Sequence, residues 1–118
     1  MSILIILNRP PYDSTDVSWN ALRLSGKLLE SGHQVRLFLM NDAVDLARES
    51  CVPPSGYDQD LKGILKSLIA AGLVVEVCGT CMARCGLHRN EPYFEGATSS
   101  TMARLAAWVA ECDKVLTF

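Results

Sequence analysis

The sequence predicts an α/β fold, a three-layer α/β/α sandwich around a mainly parallel sheet of four to five strands. Short runs of apolar residues, too dense for half-exposed strands, alternate with longer segments whose apolar residues recur at helical spacing. Two helical segments run into Gly32 and Gly72, where a glycine turns the chain into the next strand. Strands that alternate with helices imply right-handed crossovers and parallel pairing. No linker composition interrupts residues 1–118, so we expect one domain.

Four dense apolar runs are the predicted strands. They cover residues 3–7, 35–40, 73–78 and 115–118, and runs of this length suit strands that are covered on both faces. The stretch from residue 90 to residue 98 has the least defined pattern. Tyr93 and Phe94 are its candidates for a short extra strand.

Helices are predicted in the intervals between these strands. Apolar residues recur at helical spacing after the polar residues 13–16, after Asp58, and after Ser99 and Ser100. A further helix is predicted to open at Asp42, whose side chain suits an N-cap. The predicted order is strand, helix, strand, helix, helix, strand, loop, helix, strand.

Composition and charge exclude several classes of function. The 11 Lys and Arg residues are scattered among 13 Asp and Glu residues, so no basic stripe is available to neutralise a phosphate backbone, and we expect no nucleic-acid partner. The amino-terminal apolar run has five residues and no basic residue ahead of it, which fits neither a signal peptide nor a membrane span. An odd count of five cysteines then favours reduced thiols in a cytoplasm. No phosphate-binding glycine loop or cofactor fingerprint occurs, so no cofactor is expected.

Three of the five cysteines, Cys78, Cys81 and Cys85, lie within the stretch VCGTCMARCG. A zinc site would use these three thiolates with His88, but all four ligands fall within eleven residues, whereas structural zinc sites join separated pairs. We therefore predict no metal. A CxxC pair formed by Cys78 and Cys81 suits dithiol–disulfide exchange. A third interpretation makes Cys78 a nucleophile that takes up sulfur as a persulfide, with Arg84 and backbone N–H groups favouring its thiolate.

The predicted fold locates this chemistry at one edge of the sheet. In open parallel sheets, ligands bind outside the carboxyl ends of the strands. Cys78 is the last residue of a predicted strand, and Tyr12 lies in the loop that follows the first strand. We therefore expect Tyr12 and Cys78 to border one pocket.

Four sequence blocks taken together resemble the DsrE/DsrF-like family of small sulfur-relay proteins, most closely its YchN branch. The blocks are Pro11-Tyr12, the stretch RLFLMNDAV at residues 36–44, the strand-end Cys78 with Gly86 eight residues on, and the closing stretch DKVLTF at residues 113–118. The resemblance implies an α/β/α fold, assembly into trimers or hexamers, and a carrier cysteine at the position of Cys78. Cys81 and Arg84 also match residues of the family, whereas Cys85 is an addition to its pattern.

The resulting prediction is a cytoplasmic sulfur carrier, with the question of whether it also acts as a sulfurtransferase left open. Cys78 carries sulfane sulfur, Arg84 favours its thiolate, Cys81 or Cys85 resolves or receives the sulfur, and Tyr12 lines the pocket. The expected partners are a sulfur donor protein, an acceptor protein and further copies of the chain. Two alternatives stay open: a thiol–disulfide redox protein, and an oligomeric binding or regulatory module whose cysteines are incidental or bind metal.

The other cysteines and the two tryptophans are predicted to be structural. Cys51 and Cys112 are expected to be packing thiols, because free cysteine is often buried. Trp19 and Trp108 lie on predicted helices and are expected to be core or subunit-interface anchors.

Overall fold

The computed structural model describes residues 1–85 and 94–118 and contains a five-stranded parallel sheet. The strand order is β4-β3-β2-β1-β5, and every neighbouring pair is parallel. The strands are β1 Ser2–Leu7, β2 Gln34–Leu39, β3 Val74–Cys78, β4 Thr98–Ser100 and β5 Lys114–Thr117. The predicted α/β class and parallel sheet are confirmed.

In residues 1–85 and 94–118, four α-helices and one 3-10 helix connect these strands. They are α1 Val17–Glu30, the 3-10 helix Asn41–Ala47, α2 Leu61–Ala70, α3 Gly79–Cys85 and α4 Met102–Glu111. The connections β1-α1-β2 and β2-α2-β3 cross the sheet in one direction, whereas β4-α4-β5 crosses it in the other. Right-handed crossovers therefore place α1 and α2 on one face and α4 on the opposite face. Within the described residues, no helix combines the length and the apolar character needed to cross a membrane.

The core lies between the sheet and these helices. Leu4, Ile5 and Phe38 are fully buried, and the Phe38 ring meets the Trp108 ring of α4 edge to face with centroids 6.1 Å apart. Trp108 is 2% exposed, so it is a core anchor within the subunit rather than an interface residue. Trp19 is half-buried, with the Arg23 guanidinium 4.7 Å from its ring centroid.

One predicted helix start is wrong. The segment that was expected to open at Asp42 is a 3-10 helix whose N-cap is Met40, and Asp42 lies in its first turn. The helix that was predicted to follow Ser99 and Ser100 begins at Met102, and the two serines belong to β4. Helix α4 is capped by Thr101, whose Oγ1 accepts a hydrogen bond from the N–H of Arg104 at 3.2 Å.

The extra strand is also misplaced by the sequence prediction. β4 lies at Thr98–Ser100, and Phe94 belongs to no strand. The Phe94 N–H donates to the carbonyl of Ala47, and its ring is buried, so its apolar character reflects core packing rather than sheet pairing. Tyr93 lies outside the described residues.

Candidate functional site

Cys78 is the last residue of β3, as the sequence predicts, and α3 begins at the next residue. Its strand partner on β4 is Ser100, and only 4% of its surface is exposed. Gly79 lets β4 pack closely against this junction, because it has no side chain. A Cβ atom there would lie 2.9 Å from Ser99 Oγ and 3.1 Å from the carbonyl oxygen of Ser100. The cysteine is therefore held where two strands and the start of a helix meet.

The Cys78 sulfur takes the place of a helix-capping acceptor. The N–H of Cys81 donates to Cys78 Sγ at 3.4 Å, which is the contact that an N-cap side chain normally makes with the third helical residue. Burial, followed by the neighbouring Cys81 thiol, raises the pKa of Cys78 above 9.0, and the N–H groups of Cys81 and Thr80 oppose that rise. The resting thiol is therefore neutral, with donors already in place for a thiolate.

Cys81 lies beside Cys78 and has its own backbone donor. The residue is 9% exposed, and its sulfur accepts a hydrogen bond from the N–H of Asn41 at 3.2 Å. Asn41 has a positive φ of 52°, and its Nδ2 donates to Asn8 Oδ1 at 3.1 Å. The loops that follow β1 and β2 are thus joined by hydrogen bonds to the cysteine pair.

Arg84 forms an ion pair with a carboxylate at the surface. Its Nη2 lies 3.9 Å from Asp42 Oδ1, and both side chains are more than half exposed. Exposed pairs of this kind contribute at most about 1 kcal/mol. The main causes of the Cys78 pKa shift are burial and the Cys81 thiol, so the action of Arg84 on the Cys78 thiolate stays a prediction.

The remaining predicted members of the cysteine site are not placed by the structure. Cys85 is the last residue of α3, but its side chain, like Gly86 and His88, lies outside the described residues. The structure therefore brings together Cys78 and Cys81. Among the described residues, no group of three or more His, Cys, Asp or Glu side chains is arranged to hold a metal ion.

Tyr12 lies in the loop that follows β1 and borders a cavity. Its hydroxyl donates to the Gln59 carbonyl and accepts from the Leu61 N–H, both at 3.1 Å, and its ring meets Tyr57 edge to face. Burial raises the pKa of this hydroxyl. The cavity has a volume of about 420 Å³, and Cys78 is not among its lining residues, which are Tyr12, Ser14, Thr15, Pro54, Ser55, Gly56 and Tyr57. A pocket shared by Tyr12 and Cys78 stays a prediction.

Cys51 and Cys112 differ from the paired thiols in their surroundings. Cys51 is 3% exposed, and burial, followed by the charge of Asp45, raises its pKa to about 11. Such a thiol is unreactive at neutral pH, as expected for a packing residue. Cys112 is half-buried against the core, immediately after α4.

Sequence reasoning missed Asn8, Asn41 and Glu76 as residues that organise this site. Glu76 lies on β3, where its Oε1 accepts from Ser100 Oγ at 2.5 Å and its Oε2 lies 3.2 Å from Arg104 Nε. It thereby ties β4 and α4 to the strand that ends at Cys78. One acidic residue within the dense apolar run of residues 73–78 was the available signal, because a buried charge requires partners. An asparagine directly after a strand was the signal for Asn41, since asparagine tolerates positive φ.

Proteins of known structure share this fold. The crystal structure of YchN from Escherichia coli superposes with a TM-score of 0.88 at 36% identity, covering 100% of this chain and 99% of that chain. A conserved protein of unknown function from Bacteroides thetaiotaomicron superposes with a TM-score of 0.72 at 16% identity, covering 99% and 94% of the two chains. The second likeness is one of fold alone.

Sequence comparison extends the likeness along the whole chain. YchN of Escherichia coli is 37% identical over 118 residues, which cover 98% of this chain and 97% of YchN. An uncharacterised protein from Methanocaldococcus jannaschii is 36% identical over 118 residues, with full coverage of both chains. The model of the DsrE/DsrF-like family matches residues 1–118. The chain therefore belongs to the DsrE/DsrF-like family.

Proposed function

We propose that this protein is a sulfur carrier that holds sulfane sulfur as a persulfide on Cys78. The observation that supports this function best is the N–H of Cys81 on Cys78 Sγ, at the carboxyl end of a parallel strand. Membership of a family that is usually involved in sulfur relay supports the same chemistry. Backbone donors favour a sulfur anion over a neutral thiol, which is what a nucleophilic cysteine requires.

Loading is a thiolate substitution at sulfur. The Cys78 thiolate attacks the outer sulfur of a donor persulfide, a new S–S bond forms on Cys78, and the donor leaves as a thiolate. One S–S bond forms and one breaks, so no external oxidant is needed. Because burial raises the pKa of Cys78, its thiolate is scarce at neutral pH, and loading is limited by ionisation and access.

The neighbouring residues have distinct parts in this proposal. Cys81 or Cys85 resolves or receives the sulfur, and the described geometry supports Cys81 because its N–H already contacts Cys78 Sγ. Arg84 supplies positive charge at the surface of the cysteine site, partly neutralised by Asp42. Tyr12 lines the pocket in this proposal, with its hydroxyl held by two backbone hydrogen bonds.

The proposal includes protein partners and self-assembly in a cytoplasm. Cys78 is nearly buried, so a donor or acceptor protein has to approach at the carboxyl edge of the sheet and open it locally. We propose a homotrimer or a hexamer. Exposed apolar residues on β5 and α4, including Val115, Leu116 and Val109, provide a surface for such contacts.

A direct test is mass spectrometry of the protein after incubation with a small persulfide donor, followed by site assignment. The proposal expects a gain of one sulfur on Cys78, which cyanide or a dithiol removes. Cys112→Ser is the matched control, because it removes a half-buried thiol outside the pair. Absence of sulfur on Cys78 under conditions that load a low-molecular-weight thiol would contradict the proposal.

Dithiol–disulfide exchange is the second candidate, favoured by the adjacency of Cys78 and Cys81. The two proposals differ in what leaves the protein. A redox protein exchanges electrons with other dithiols at a defined potential and gains no sulfur mass, whereas a carrier loads sulfur in its reduced form.

A further inference from the structure

A row of hydrogen bonds links the carboxyl ends of three adjacent strands, β1, β2 and β3. Asn41 Nδ2 donates to Asn8 Oδ1 at 3.1 Å, and the Asn41 N–H donates to Cys81 Sγ at 3.2 Å. The row ends where the Cys81 N–H donates to Cys78 Sγ at 3.4 Å. Asn41 is therefore the residue through which the cysteine pair is joined to the neighbouring strand ends.

The backbone of Asn41 is in a conformation that few side chains tolerate. Its φ is 52°, and Ser14 is the only other non-glycine residue in the described ranges with a positive φ. The positive φ lets the chain leave β2 and enter the 3-10 helix while the Asn41 N–H stays directed at the sulfur. Strained conformations persist where the surroundings fix them, and they concentrate at functional sites.

We propose that Asn41 is a positioning residue for Cys81: its left-handed backbone holds an N–H on Cys81 Sγ and fixes that sulfur as the group that discharges Cys78. Hydrogen bonds are directional, so this donor restricts where the Cys81 sulfur can lie. The discharge step rests on the proposed carrier function. The placement of the Cys81 sulfur rests on the hydrogen bonds alone.

The discharge reaction balances without an added oxidant. The Cys81 thiolate attacks Sγ of persulfidated Cys78, the Cys78–Cys81 disulfide forms, and the outer sulfur leaves as hydrosulfide. The electron pair of the broken S–S bond departs with that sulfur. A partner dithiol then reduces the disulfide, becoming a disulfide itself, and restores both thiols.

The experiment measures the rate at which an added oxidant, diamide, closes the Cys78–Cys81 disulfide in the unloaded protein, with sites assigned by tandem mass spectrometry. Asn41→Ala disfavours the left-handed backbone, whereas Asn41→Gly adopts it freely and lacks the side chain. Asn8→Ala removes the same side-chain hydrogen bond while leaving position 41 intact. Asn20→Ala, on an exposed position of α1, controls for the loss of an amide elsewhere.

We expect Asn41→Ala to slow closure of the Cys78–Cys81 disulfide about fivefold, the loss expected when one hydrogen-bond donor is misdirected. Asn41→Gly and Asn8→Ala should keep the wild-type rate. Release of hydrosulfide from loaded protein should slow by the same factor in Asn41→Ala alone.

Two results would overturn the inference. One is an unchanged rate of disulfide closure in a folded Asn41→Ala protein, and the other is an equal loss of rate in Asn41→Gly and Asn41→Ala. If Asn41→Ala fails to fold, a slowed rate in Asn41→Gly contradicts the backbone argument on its own. Failure of Cys78 to load in the wild-type protein would remove the carrier function, and the rates of disulfide closure would still decide the role of Asn41.

Discussion

The backbone N–H of Cys81 lies 3.4 Å from Cys78 Sγ, so the two thiols of the CxxC sequence share the first turn of one helix. The sulfur of Cys78 is the acceptor in that contact, and Gly79 allows the approach of β4 on its other side. The Cys78 sulfur is therefore shielded from water, while the backbone N–H of Cys81 remains within hydrogen-bonding distance of it.

Serine substitutions should separate the cysteines by role. Cys78→Ser should abolish sulfur loading, because the remaining cysteines lack its strand-end position and backbone donors. Cys81→Ser should load but release hydrosulfide slowly and form no Cys78–Cys81 disulfide. Cys51→Ser and Cys112→Ser should load normally and lose at most about 1 to 3 kcal/mol of folding free energy. Loading and discharge measured on all five single variants, Cys85→Ser included, check this. Normal loading of Cys78→Ser would assign the carrier to another thiol.

The loading rate of Cys78 should rise steeply with pH. The thiolate is the nucleophile, and the pKa of the Cys78 thiol is raised above 9.0. The loading rate should therefore increase about tenfold per pH unit between pH 7 and pH 9. Cys81→Ala removes the neighbouring thiol, the second cause of the raised pKa, and should load faster than wild type at pH 7. A flat profile measured with a low-molecular-weight donor would show that ionisation of Cys78 does not limit the reaction.

Alkaline pH should destabilise the fold through Cys51. Its pKa is raised from 9.0 to about 11 in the folded chain, so the folded state holds the proton more tightly than the unfolded state. This contribution is fully present below pH 9 and is lost as pH rises toward 11, with a size of about 1 to 3 kcal/mol. Urea unfolding at pH 8 and pH 10.5 should show a smaller loss for Cys51→Ala than for wild type. Equal losses would mean that Cys51 ionises normally.

Gly79→Ala should damage the junction of β3 and α3. The added methyl would lie 2.9 Å from Ser99 Oγ and 3.1 Å from the Ser100 carbonyl, and relieving such overlaps costs about 1 to 3 kcal/mol. Thermal unfolding measures the loss. Combination with Ser99→Ala should recover part of the stability, because one of the two contacting atoms is removed. No loss in Gly79→Ala would show that β4 moves aside freely.

Self-association should depend on the apolar surface of β5. All four residues of β5 are exposed, and the side chains of Val115 and Leu116 are apolar. Sedimentation velocity at micromolar concentration should show a trimer or hexamer for wild type and a smaller species for Leu116→Glu. Lys114→Glu, also on β5, tests whether added charge alone has this effect. A wild-type monomer would contradict the proposed assembly.

Much of the fold could be predicted because it depends on local patterns. The dense runs at residues 3–7 and 73–78 marked β1 and β3, and the second of these placed Cys78 at a strand end. The short strand β4 was not predicted, because Thr98–Ser100 is polar and is a strand by virtue of its pairing with β3. Local patterns also contain no information on strand order, which depends on contacts between distant segments.

The cysteine site was only partly predictable for the same reason. Cys78 and Cys81 were identified from their spacing, and that spacing fits one helical turn. The Asn41 N–H reaches Cys81 across 40 residues of sequence, and its direction follows from a backbone angle that no residue pattern specifies. The Arg84–Asp42 pair likewise depends on how α3 docks against the 3-10 helix.

The position of β1 inside the sheet has a consequence for synthesis of the chain. β1 lies between β2 and β5, and Ser2 is hydrogen-bonded to Asp113, 111 residues later. One edge of an Ile- and Leu-rich strand therefore has no partner until β5 leaves the ribosome. Unpaired apolar strand edges are templates for aggregation, so nascent chains that stall before residue 114 should be the most dependent on chaperones.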